Sequence, residues 1–90
     1  MYSWLITRDW VSGGKDRGFI GPRCALTSEE ITATGIPFRM LDDDGEVYYH
    51  GLYTGPDDES LFGPLDDFGM PNAGCTAIQY RNAAGEWEAI

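Results

Sequence analysis

The residues best able to do chemistry in this 90-residue chain are carboxylates, which arrive in three runs: Asp42-Asp43-Asp44-Gly45-Glu46, Asp57-Asp58-Glu59 and Asp66-Asp67. Hard cations take oxygen ligands, so the alternation of Asp42, Asp44 and Glu46 suggests a calcium loop. The spacing denies it. Gly45 comes two positions too early for the glycine of such a loop, and Tyr53 stands where the bidentate glutamate belongs. Asp67-Phe68-Gly69 matches the metal-binding tripeptide of protein kinases, yet no glycine-rich nucleotide loop or catalytic-loop motif accompanies it. His50 is the one histidine, which excludes a multi-histidine metal site, and no motif joins it to Cys24, Cys75 or a serine as nucleophilic catalysis requires. Adjacent Asp pairs on turns lack the burial that drives two carboxyl pKa values apart. The sequence therefore predicts no enzyme: no catalytic residue, no metal and no cofactor.

Binding is the chemistry that remains. Asp9, Asp16, Glu29, Glu30, Glu86 and Glu88 are offset by Arg8, Lys15, Arg17, Arg23, Arg39 and Arg81, so the whole net charge of −9 sits between Met40 and Tyr80. No Lys or Arg occurs there. Such a chain repels nucleic acid and anionic membrane and attracts basic surfaces. Asp42, Asp43, Asp44, Glu46, Asp57, Asp58, Glu59, Asp66 and Asp67 are the candidate partner-binding residues. Tyr48 and Phe68 join them, because aromatic residues are enriched at interface hot spots. The expected partner is the basic surface of a protein or ribonucleoprotein complex, with no direct nucleic acid and no membrane. The competing expectation is an acidic face kept for solubility.

The elements that must position these residues are mostly strands. Residues 2–7 alternate Tyr2, Trp4 and Ile6 with Ser3, Leu5 and Thr7. A loop over residues 13–18 follows, and Phe19-Ile20 adds a brief strand before Gly21-Pro22. Thr27-Ser28-Glu29-Glu30 has the form of a capping box and predicts a helix from Ser28 to Thr34, ended by Gly35 and Pro37. Residues 38–53 predict a β-hairpin turning through Asp-Gly, with Tyr48 and Tyr49 on opposite faces. Residues 75–90 predict a second hairpin turning through Asn82-Ala83-Ala84-Gly85, with Ile78 and Tyr80 sharing a core face with Trp87 and Ala89. Between the hairpins, residues 54–74 read as a long ordered loop anchored by Leu61, Phe62, Leu65, Phe68 and Met70, with a helical turn from Pro64. The expected fold is a single strand-dominated α+β domain: a twisted antiparallel sheet of four to five strands with one short helix, or a small half-open β-barrel.

An apolar fraction of 42% with three tryptophans is too rich for intrinsic disorder. No run approaches the roughly 20 apolar residues of a membrane span, and the start lacks a basic-then-apolar leader, so a cytoplasmic location is expected. Cys24 and Cys75 belong to no CxxC pair and read as buried thiols.

The start Trp4-Leu5-Ile6-Thr7-Arg8-Asp9, the stretch Phe62-Gly63-Pro64-Leu65-Asp66-Asp67-Phe68-Gly69-Met70-Pro71-Asn72-Ala73-Gly74-Cys75-Thr76 and the closing Glu86-Trp87-Glu88 resemble those of small acidic proteins of actinobacterial and mobile-element type. That resemblance lends no site residue. In size, charge and lack of motifs the chain is also similar to anti-CRISPR and anti-restriction inhibitors. This likeness of type implies a protein that blocks a nucleic-acid-binding surface.

Overall fold

Alternating apolar and polar side chains give each strand one face to bury. In the computed structural model, which describes residues 2–11, 15–21 and 26–90, six strands form, and the alternation is clearest over residues 47–54 and 77–81. They are β1 (Ser3–Asp9), β2 (Lys15–Gly21), β3 (Ile36–Leu41), β4 (Val47–Thr54), β5 (Ala77–Arg81) and β6 (Trp87–Ala89). They form one open sheet in the order β2-β1-β4-β3-β5-β6, antiparallel at every pairing. The protein is a strand-dominated α+β fold, as its sequence predicts, with six strands instead of four to five and no barrel closure. The added length is in β2. The expected glycine loop gives way at Lys15 to a strand that pairs along β1 as far as Trp4 opposite Gly21. Gly13, Gly14, Pro22, Arg23 and Cys24 lie outside the described residues.

Both hairpins turn by the same device. Asp42 Oδ1 accepts from the backbone N–H of Asp44 (2.9 Å) and Glu46 (3.0 Å), and Asn82 Oδ1 accepts from Ala84 (2.9 Å) and Glu86 (3.0 Å). Gly45 and Gly85, at φ 82° and 83°, supply the left-handed residue that closes each turn. The shared pattern is a side-chain acceptor, two residues, glycine and glutamate. Its register pairs Tyr80 with Glu88 and Arg81 with Trp87. Trp87 and Ala89 therefore share a face with Arg81 and Gln79, not with Ile78 and Tyr80. Asn82 pairs with Glu86 as the last rung, one position away from a register that would bring Trp87 inward.

Helix α1 (Ser28–Thr34) forms where the capping box predicts it. Thr27 Oγ1 accepts from Glu30 N (3.2 Å), and Glu30 Oε1 accepts from Thr27 N (3.1 Å). It lies on one face of β1 and β4 and buries Ile31 completely. The other face carries the core of Trp4, Ile6, Phe38, Met40, Tyr49, Tyr53, Ile78 and Tyr80. That core is roofed by residues 55–76, which are not a plain loop. A 3₁₀ turn (Glu59–Phe62), a π-helical turn (Leu65–Gly69) and helix α2 (Met70–Ala73) make a continuous strap whose Leu65 and Cys75 are buried in the core. Burial pushes the Cys75 thiol up to about 11, so it behaves as an apolar side chain. Among the described residues no helix is long and apolar enough to cross a membrane.

Candidate functional site

The nine candidate carboxylates divide into those the fold uses and those it leaves outward. Asp42 orders its hairpin turn and also accepts from the Tyr48 hydroxyl (2.9 Å). The backbone N–H of Glu46 is the main reason its carboxyl is held below the usual range. Asp43 accepts from Thr76 Oγ1 (2.6 Å), tying the turn to the start of the second hairpin. Asp58 caps the 3₁₀ turn by accepting from Ser60 N (2.8 Å), which lowers its carboxyl in the same way. Asp67 accepts from both the Tyr2 hydroxyl (2.6 Å) and Trp4 Nε1 (3.1 Å) at a single oxygen. These four hold turns, and in the case of Asp67 fasten the strap to β1. Asp44, Glu46, Asp57, Glu59 and Asp66 are exposed and do no such work among the described residues.

Neighbouring Asp66 and Asp67 thus have opposite roles, which a pair of substitutions separates. Asp67→Ala leaves the buried Trp4 indole N–H without its acceptor and is expected to cost about 1–3 kcal/mol, whereas Asp66→Ala should stay within about 0.5 kcal/mol of wild type. Urea unfolding of the two variants checks this. The Tyr2 hydroxyl, pushed up to about 12 by burial and then by its bond to Asp67, should return toward 10 in Asp67→Ala.

The three acidic runs do not meet at one place. Residues 42–46 and 57–59 flank opposite ends of β4, an eight-residue strand roughly 25 Å long. The second and third runs do converge. Asp57 and Asp58 act on Tyr53, Asp66 and Asp67 act on Tyr2, and the two tyrosine rings stack 6.1 Å apart. At this end of the sheet a pocket of about 230 Å³ has apolar walls from Ile36, Leu61 and Ile90 and a charged rim of Asp57, Glu88 and Arg81. Its tyrosines are committed elsewhere, Tyr53 to the Pro56 carbonyl (2.6 Å) and Tyr80 to the Leu61 carbonyl (2.7 Å).

The two candidate aromatics are used internally. Phe68 packs its ring against Trp4, Phe19 and Tyr49 at 4.9–5.5 Å between centroids, forming the middle of the strap's contact with the sheet. Tyr48 sits at a β-bulge, where β3 steps from Met40 to Leu41 while β4 steps from Tyr49 to Val47. The extra residue breaks the alternation expected of Tyr48 and Tyr49. Tyr49 is buried in the core, and half-buried Tyr48 packs against that same core instead of facing away.

One cluster has no counterpart among the residues singled out from sequence. On the sheet face not roofed by the strap, Arg8, His50, Arg39 and Gln79 are successive cross-strand neighbours on β1, β4, β3 and β5. A bulge between Ile6 and Arg8 turns Arg8 to this face although Ile6, two residues earlier, points into the core. The Arg8 guanidinium lies 5.2 Å over Trp10 and that of Arg39 lies 4.6 Å over Trp87. The two indoles flank the His50 ring at 6.1 Å each. Trp10 Nε1 donates to His50 Nδ1 (2.9 Å), and Arg39 Nε donates to Gln79 Oε1 (2.7 Å). A sequence signal for this cluster existed in the polar positions Arg39, His50 and Gln79, each next to a core residue in a period-two strand.

Burial, then Arg39 and Arg8, lower the pKa of His50. The unfolded chain therefore takes up a proton near pH 6.5 that the folded chain resists, and protonated Nδ1 can no longer accept from Trp10. Stability is expected to fall as pH drops below about 6.5, and His50→Gln should flatten that limb of a stability-against-pH curve. The loss of the Asp42 and Asp58 caps belongs to a separate, lower window below the usual carboxylate range near 3.8.

No family model, curated protein or solved structure matches this chain.

Proposed function

We propose that this protein is a small acidic inhibitor of the anti-CRISPR or anti-restriction kind. It would occupy a basic nucleic-acid-binding surface on a protein or ribonucleoprotein nuclease complex. The observation that carries the proposal is an apolar pocket at the end of the sheet where the second and third acidic runs lie. Asp57 and Glu88 present negative charge at its rim beside Arg81, Glu59 and Asp66 are exposed in the neighbouring acidic runs, and Ile36, Leu61 and Ile90 give the apolar wall. An arginine or lysine of a partner fits that combination, its methylene stem on the wall and its charged head at the rim. Clefts built for phosphates offer many such side chains. The Asp42–Glu46 turn, at the other end of β4, would form a second contact or steer approach.

A cellular interaction domain with a solvated acidic face is the second reading. It is favoured by the internal bonds of Asp42, Asp43, Asp58 and Asp67, which give part of the acidity a folding role. Immobilised protein incubated with host lysate separates the two. The inhibitor should retain a nuclease component and release it to excess single-stranded DNA, whereas retention of a partner indifferent to DNA, or of none, contradicts the proposal.

A further inference from the structure

The Arg8–His50–Arg39 row lies on the sheet face opposite the strap and makes a different kind of site from the acidic end. Strands lie about 4.8 Å apart, so Arg8 and Arg39 stand roughly 10 Å from each other across β1, β4 and β3, with His50 between them. Arg39 is held flat against Trp87 and fixed at one edge by Gln79. Its terminal N–H groups carry no hydrogen bond among the described residues. A guanidinium constrained in this way is a preorganised fork for an oxyanion. Because Trp10 occupies His50 Nδ1, the neutral imidazole carries its proton on Nε2 and offers a further donor. The charges that act on His50 are those of Arg39 and Arg8.

We propose that this face binds a small anion bearing a planar ring, of nucleoside monophosphate size, with its phosphate among Arg8, His50 and Arg39 and its ring on Trp10. Charge complementarity selects the anion. Trp10 is 46% exposed and offers an aromatic surface, which stacks any nucleobase without regard to sequence. The net charge selects a small ligand over a polymer, since each further phosphate of a nucleic acid meets the repulsion of the whole molecule while a monophosphate meets mainly the local field. The site uses none of the carboxylates assigned to the nuclease partner.

The test is a titration of the full chain with adenosine monophosphate, followed by the three indole N–H signals in proton–nitrogen spectra. The signals of Trp10 and Trp87 are expected to shift saturably, while that of Trp4, bonded to Asp67 beneath the strap, stays in place. Adenosine and inorganic phosphate, each supplying half of the ligand, should bind at least about 10-fold more weakly. Arg39→Gln should weaken the monophosphate by a similar factor in a protein that stays folded, its melting temperature lowered only by the lost contact with Trp87. Should that variant unfold, Arg39→Lys, which keeps the charge and loses the planar fork, is expected to give the same weakening in a folded protein. Four results would each overturn the proposal: no saturable shift at Trp10 and Trp87, adenosine or phosphate binding as tightly as the monophosphate, a single-stranded oligonucleotide binding more tightly, or full affinity in folded Arg39→Lys.

Discussion

Phe38→Ala is expected to destabilise the domain by about 3–5 kcal/mol, read as a lowered urea midpoint with an unchanged slope. Phe38 is fully buried at the centre of the sheet, next to Tyr80 on β5 and opposite Gly51 on β4. Its ring lies 5.8 Å from that of Tyr80, so truncation removes both apolar burial and an aromatic contact. A domain of this length has on the order of 5–13 kcal/mol to lose, so the variant should be marginal at physiological temperature. Trp87→Ala is the instructive contrast. It is a larger side chain, but the hairpin register places it on the far face over Arg39, where the expected loss is chiefly a cation–π contact of about 0.5–2 kcal/mol. Equal losses at the two positions would mean that the register of β6 is wrong.

Gly51→Ala is expected to cost about 1–3 kcal/mol despite adding a single methyl group. A Cβ on Gly51 would run into the ring of Phe38 and the main-chain carbonyl oxygen of Leu5 on β1. The phenyl ring fills the space that a side chain at 51 would take, which makes the two positions one packing unit. Phe38→Leu in the Gly51→Ala background should relieve the ring and leave the carbonyl. The double variant is therefore expected to be more stable than the sum of the two single losses, but less stable than wild type. Strict additivity in thermal or urea unfolding would show that the ring and the methyl do not compete.

The parts of the fold that were legible in the sequence are those set by local chemistry. The capping box at Thr27 and Glu30 located α1, and the Asp-Gly and Asn-x-x-Gly turns located both hairpins. Features set by register or by non-periodic backbone were not legible. The face of Trp87 differs from the expected one because one step in hairpin register moves every later side chain across the sheet. The faces of Tyr48 and Arg8 depart from strict alternation because bulges shift their strands by one residue, and no residue type announces a bulge. The strap resembled a loop because its 3₁₀ and π turns follow neither the 3.6-residue nor the two-residue period.

The acidic runs were visible as charge, while their division of labour was not. Asp66 and Asp67 are identical in type and adjacent in sequence. The bonds from Tyr2 and Trp4, more than sixty residues earlier in the chain, make one a structural anchor and leave the other outward. The Arg39, His50 and Arg8 row was hidden for a related reason. Its members are spread over three strands and become neighbours only through the sheet order.

The central claim is that carboxylates at the pocket end of the sheet engage a basic surface. It is tested most directly by the association rate between the protein and the nuclease complex it retains from its host, measured at rising salt. Wild type should associate quickly at low salt and slow steeply as salt screens the steering field. Asp57→Asn, Glu59→Gln and Asp66→Asn combined remove three outward charges that support no hydrogen bond among the described residues, so the variant should keep its melting temperature. It should also associate at least about 10-fold more slowly at low salt, with a flatter salt dependence. A folded variant with the wild-type rate and salt dependence would contradict the account.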